Sequence, residues 1–156
     1  MGAKQPGPAD IRKKLYHFCA YQERSHRQAR EKLYALNLNT EMVEETMAHL
    51  ITEGFLNEER FARAFAGGKF RMKQWGRLKI IQALKREGVS EKNIKIGLSE
   101  IDESTYRSTL ERVIQKKLDA STKTDELIVR DQAARFAMGK GYEPDFVWEV
   151  IRALNR

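Results

Sequence analysis

LKREGVSEKNIKIGLSEI, Leu84 to Ile101, decides the fold, because the pattern occurs more than once. Moved back by 51 residues without a gap, it meets LYALNLNTEMVEETMAHL, Leu33 to Leu50. Leu84, Gly88, Val89, Ser90, Ile94, Leu98 and Ile101 then fall on Leu33, Asn37, Leu38, Asn39, Val43, Met47 and Leu50. Moved forward by 53, the last six positions meet Gly141, Tyr142, Glu143, Val147, Ile151 and Leu154. A fixed period of this length marks a repeat architecture.

The shared unit is a helix, a turn with Gly or Asn, an apolar residue, an N-cap position and a second helix with apolar residues at i, i+4 and i+7. Gly88, Gly141 and Asn37 tolerate the left-handed conformation that follows many helix ends. Asn39 and Ser90 can accept hydrogen bonds from the free amides of the next helix, and Pro144 suits a first helical position. Glu143 is a poor cap, so the third copy is the weakest match.

A further helix precedes each pair. Leu56, Asn57 and Phe61 fit a hydrophobic staple around a cap, as do Ile101, Asp102 and Tyr106. In the first copy a helix opens at Asp10, and the next starts at Ser25 with Gln28 completing a capping box. The expected architecture is all-α: a flexible N-terminal arm over 1–9, then three tandem three-helix repeats over 10–55, 56–101 and 102–156. Units of about 50 residues bury little alone, so they should stack into an elongated, curved, monomeric body.

Apolar residues make up 41% of the 156, enough for a core, and the formal net charge of +7 with a pI near 9.6 favours an acidic partner. No apolar run approaches the roughly 20 residues that cross a bilayer, and the first ten residues lack a secretory apolar segment. The sequence therefore reads as cytoplasmic. Cys19, the single cysteine, sits in an apolar helical stretch and reads as a buried structural thiol.

Charge is unevenly spread. From Leu38 to Glu59 there are six acidic residues and no Lys or Arg, whereas Arg60 to Arg86 holds nine basic residues and no Asp or Glu. The nine are Arg60, Arg63, Lys69, Arg71, Lys73, Arg77, Lys79, Lys85 and Arg86, the candidate contact residues for protein or nucleic acid. Their mutual repulsion goes uncompensated within the segment, which argues for an interaction surface over a solvated face. On the helix from Glu58, Phe61, Ala64, Phe65, Gly68 and Met72 share an arc of about 100° and form the expected core stripe. Ile80, Ile81 and Leu84 do so on the next helix, with Lys79 and Arg86 projecting opposite. Arg77 lies in a first turn, where a cation is unfavourable to the helix dipole and hints at another use. Trp75 suits an inter-repeat plug better than a base-stacking platform. Phe70 points away from the stripe, toward solvent or the next repeat.

The segment from Gly54 to Ser90, GFLNEERFARAFAGGKFRMKQWGRLKIIQALKREGVS, resembles the central repeat of RecX proteins. Phe55, Asn57, Glu58, Arg60, Phe61 and Ala62 match an aromatic, a polar pair and an Arg-Phe-Ala core. Gly76, Leu84 and Gly88 match the Gly and the Leu-x-x-x-Gly turn that follow a basic run. The likeness extends over roughly Ile11 to Leu154. Gly67 and Gly68 depart from relatives that are often arginine-rich there, and each costs a helix about 1 kcal/mol against alanine unless packing uses it. The resemblance implies a regulator in DNA repair and recombination that binds RecA filaments on DNA, along the helical groove, and restrains strand exchange and the filament's ATPase.

No Walker-type glycine loop occurs, and His17, His26 and His49 lack metal-ligand spacing, so no cofactor, metal or catalytic residue is expected. A direct DNA-binding module is the alternative, since KREGVSEKNIKIGL has the helix, turn and helix of a helix-turn-helix. Its second helix, Asn93 to Ile101, carries few groups able to read base edges. Bare DNA binding should then be weak and non-specific.

Overall fold

The computed structural model describes residues 7–154. Among them it contains nine α-helices and no strand: α1 Pro8–Tyr21, α2 His26–Tyr34, α3 Thr40–Thr52, α4 Glu58–Lys73, α5 Arg77–Arg86, α6 Glu91–Leu98, α7 Glu103–Ala120, α8 Glu126–Gly139 and α9 Pro144–Leu154. The fold is all-α.

Local chemistry sets the helix ends. Ser25 and Gln28 form a reciprocal capping box on α2, and Asn39 accepts from the Met42 amide at the start of α3. Asn57 receives the Arg60 amide at 2.8 Å, Ser90 the Asn93 amide at 3.2 Å, and Asp102 the Thr105 amide at 3.0 Å. Asn37, Gly88 and Gly141 hold positive φ of 63°, 77° and 101° at equivalent places in the three helix pairs. That conformation lets the chain leave one helix and enter the next within a few residues.

Two ends differ from expectation. Helix α1 begins at Pro8 with Gly7 as its cap, not at Asp10, because a proline at the first helical position has no amide to leave unsatisfied. The expected arm over 1–9 thus loses Pro8 and Ala9 to the helix, while 1–6 lie outside the described residues. Helix α6 stops at Leu98, short of Ile101. Ile101 is instead buried just ahead of the Asp102 cap, where the staple of α7 needs an extended residue.

The chain forms two compact units. One gathers 7–64 together with Leu84–Gly97. Its core includes Ile11, Leu15, Leu33, Val43, Met47 and Leu50, with Cys19 buried at its edge. Burial pushes the Cys19 thiol up, against the pull of Arg24, as suits an inert structural cysteine. The second unit gathers Phe65–Ala83 with 98–154. Tyr106, Leu110, Ile114, Tyr142, Val147 and Ile151 are buried there.

The core stripe of α4 is corrected. Phe61 is buried as expected, but Ala62, Ala66, Gly67 and Phe70 are buried as well, while Ala64 and Met72 are exposed. Phe70 is only 5% exposed and Met72 82%. Both faces of this helix carry apolar residues, so periodicity alone does not choose between them. Alanines at 62 and 66 favour the buried face, because small side chains permit close approach: a Cβ on Gly97 of α6 would come within 2.7 Å of the Ala62 carbonyl oxygen. Phe70 meets the Tyr106 ring at 5.8 Å between centroids. Despite Gly67 and Gly68, α4 runs unbroken.

Candidate functional site

The nine cations fall into four groups. Arg60 and Arg63 are neutralised by acids outside the block. Arg60 Nε reaches both carboxylate oxygens of Glu23, at 2.7 and 2.8 Å, and its Nη2 donates to the Gly54 carbonyl at 2.9 Å. Arg63 pairs with Glu59 one turn earlier, at 3.1 Å.

Arg77 has the most elaborate environment. Its guanidinium pairs with Glu143 at 3.0 Å, pairs with Glu103, and lies 3.8 Å from the centre of the Tyr106 ring. The buried Tyr106 hydroxyl accepts from the Arg77 amide at 3.0 Å and donates to Glu143. Burial opposes the charge on Arg77, but the bonds to Glu103 and Glu143 outweigh it and hold the guanidinium protonated. Desolvation, reinforced by Glu143, pushes the Tyr106 phenol well above its ordinary value. The first-turn cation is thus used inside the second unit. Glu143, a poor helix cap in the sequence, is the acceptor that joins α5, α7 and α9.

Lys69 and Lys79 form the next group. Their ammonium groups lie 5.1 and 4.7 Å from the Trp75 ring centre, and Phe65 meets the same indole edge-on at 6.4 Å. Trp75 is half-buried. Gln74 takes φ of 57°, and the Tyr142 hydroxyl donates to its carbonyl at 2.9 Å. Gly76 donates its amide to the Lys140 carbonyl at 2.7 Å. A Cβ at Gly76 would lie 2.3 Å from the backbone at Gly141, so only glycine permits this approach.

Arg71, Lys73, Lys85 and Arg86 remain. All four are exposed, and among the described residues none has a carboxylate partner. They are the members of the block free to meet an external anion. The acids that occupy Arg60 and Arg77 lie 26 to 66 residues away in the chain, too far for local charge counting to detect.

The helix-turn-helix alternative fares less well. On α6 the Asn93 side-chain amide Nδ2 donates to Glu58 at 2.6 Å, and Glu58 also accepts from the Ser90 backbone amide at 3.3 Å. Burial alone would raise the Glu58 carboxyl, yet these bonds hold it below its ordinary value. The group on this helix best suited to read a base edge is therefore engaged within its own unit. Among the described residues no cluster of His, Cys, Asp and Glu could hold a metal ion, and no helix is long and apolar enough to cross a membrane.

Residues 57–98 match the model of the RecX second three-helix domain. Over 134 residues the chain is 29% identical to a regulatory protein RecX of Clostridium perfringens, covering 85% of this chain and 62% of that one. Over 139 residues it is 24% identical to a regulatory protein RecX of Oceanobacillus iheyensis, covering 89% of this chain and 51% of that one. The chain thus spans between half and two thirds of the length of these relatives. In fold it is similar to the crystal structure of RecX from Lactobacillus salivarius, with a TM-score of 0.81 at 17% identity, covering 94% of this chain and 98% of that one. The helix-turn-helix pairs, the Arg-Phe-Ala element of α4 and these likenesses converge: the chain is similar to RecX proteins over most of its length, and its central segment to their second three-helix domain.

Proposed function

We propose that the chain regulates the RecA recombinase by binding the RecA filament on DNA, in its helical groove, and restraining ATPase and strand exchange. It acts by contact rather than catalysis, as a cytoplasmic monomer. The observation that carries this reading is the set of four exposed, unpaired cations, Arg71, Lys73, Lys85 and Arg86, inside the segment that matches the RecX domain. Such cations suit a surface that carries phosphate and carboxylate together.

RecA ATPase and strand exchange, measured with and without the chain, test the proposal. Inhibition of both supports it, and no effect on either at saturating protein removes it. Bare duplex binding should be weak and fall with salt, by about 0.9 log units per phosphate contact for each tenfold rise. A sequence-dependent footprint on bare DNA would favour the helix-turn-helix reading instead.

A further inference from the structure

A second candidate surface lies on the first helix of the chain. Lys14, His17, Phe18 and Tyr21 follow i, i+3, i+4 and i+7 spacing on α1, so they share one face. The adjoining side of that helix is committed to the core through Ile11, Leu15 and Cys19, and the half-buried Phe18 packs against the same core. Tyr21 is 84% exposed. Arg24, just beyond the helix, is fixed by a 2.8 Å bond from its Nε to the Phe18 carbonyl. That bond sets its guanidinium 3.9 Å from the Phe18 ring centre and 5.8 Å from that of Tyr21. Lys32 of α2 approaches the same Phe18 ring at 5.6 Å.

An exposed ring by itself would mean little, because single surface aromatics are normal. Here Arg24 lies beside both the Tyr21 and Phe18 rings, and Lys32 beside that of Phe18. Among the described residues, Lys14, Arg24 and Lys32 have no carboxylate partner, while Glu23 and Glu31 are taken by Arg60 and Arg27. A flat aromatic face beside fixed positive charge is the chemistry that holds an unpaired base and its phosphates together. A duplex would present phosphates to the cations but keep its bases stacked away from Tyr21.

We propose that the Lys14, Phe18, Tyr21, Arg24 and Lys32 face binds single-stranded nucleic acid, with one unpaired base stacked on Tyr21 and the flanking phosphates held by the three cations. The site is independent of any contact with RecA and is tested on the bare strand with the full chain. The probe is a labelled oligothymidine of about 20 nucleotides, longer than one such site needs. Its affinity is compared with that of the same length of duplex for the unaltered chain, Tyr21→Ala and Tyr21→Phe, with melting temperatures measured on the same samples.

Tyr21→Ala is expected to weaken single-strand binding roughly tenfold and leave duplex binding unchanged, since stacking on an aromatic is lost only for unpaired bases. Tyr21→Phe retains the ring and should bind like the unaltered chain. Equal loss on both probes, no loss on the single strand, or no single-strand binding at all would overturn the proposal. So would loss of RecA inhibition by Tyr21→Ala with oligothymidine binding intact, which would make the face a protein contact. Intact single-strand recognition in a chain that fails to inhibit RecA would instead count against the regulator reading alone.

Discussion

Arg77 and Glu143, 66 residues apart in sequence, are joined by a 3.0 Å ion pair beside the buried Tyr106. The bond converts a candidate contact residue into part of the second unit's interior. Arg77→Ala leaves Glu143 and the Tyr106 ring without the guanidinium between them. Loss of charge-assisted hydrogen bonds of this kind costs about 1.5–3 kcal/mol, whereas Arg71→Ala on the surface should cost no more than about 0.5 kcal/mol. Denaturant melts of the two variants check this. Equal stabilities would mean that the Arg77 pairs contribute nothing.

The same network predicts a response to alkali. Desolvation first, and the Glu143 carboxylate second, hold the Tyr106 phenol above its ordinary value, so the folded chain keeps a proton that the unfolded chain releases. The associated stability is fully present below the ordinary tyrosine value near pH 10 and is lost as pH rises above it. Tyr106→Phe removes the titrating group. Its melting temperature should start lower, by about 1 kcal/mol of lost hydrogen bonding, but fall less steeply above pH 10 than that of the parent. Parallel slopes in the two proteins would contradict the assignment.

Two glycines should respond in opposite directions to alanine. At Gly76 the added Cβ meets backbone at 2.3 Å, which cannot yield as a flexible side chain would. Overpacking should cost about 1–3 kcal/mol or more. At Gly68, within α4, nothing lies within 4 Å of the added Cβ, and alanine should stabilise the helix by about 0.5–1 kcal/mol. Thermal melts of Gly76→Ala and Gly68→Ala decide both signs.

Local features were legible in the sequence because their causes are local. The Ser25 and Gln28 box, the caps at Asn39 and Asp102, and the left-handed Asn37, Gly88 and Gly141 each depend on a few neighbouring residues. The start of α1 also had a local signal in Pro8, but Asp10 offered a competing cap. The buried face of α4 had no such signal, since Phe65 and Met72 on one arc compete with Ala66 and Phe70 on another. Tertiary contact with Tyr106 settles it for Phe70. Among the candidate cations, the neutralised Arg60 and Arg77 could not be told from the exposed Arg71 and Arg86 by spacing. Their partners Glu23 and Glu143 come from other repeats.

A basic block that served only for solubility would tolerate neutralisation, so the most direct test replaces Arg71, Lys73, Lys85 and Arg86 together by glutamine. Single-strand-stimulated RecA ATPase is then titrated with the parent and the variant, and both are melted. Side chains this exposed should each shift stability by no more than about 0.5 kcal/mol, so the fold should survive. The account predicts that the variant stays folded and needs about tenfold more protein, or greater, for half-inhibition, because each lost phosphate contact removes electrostatic affinity. A variant that melts like the parent and inhibits RecA at the same concentration would contradict it.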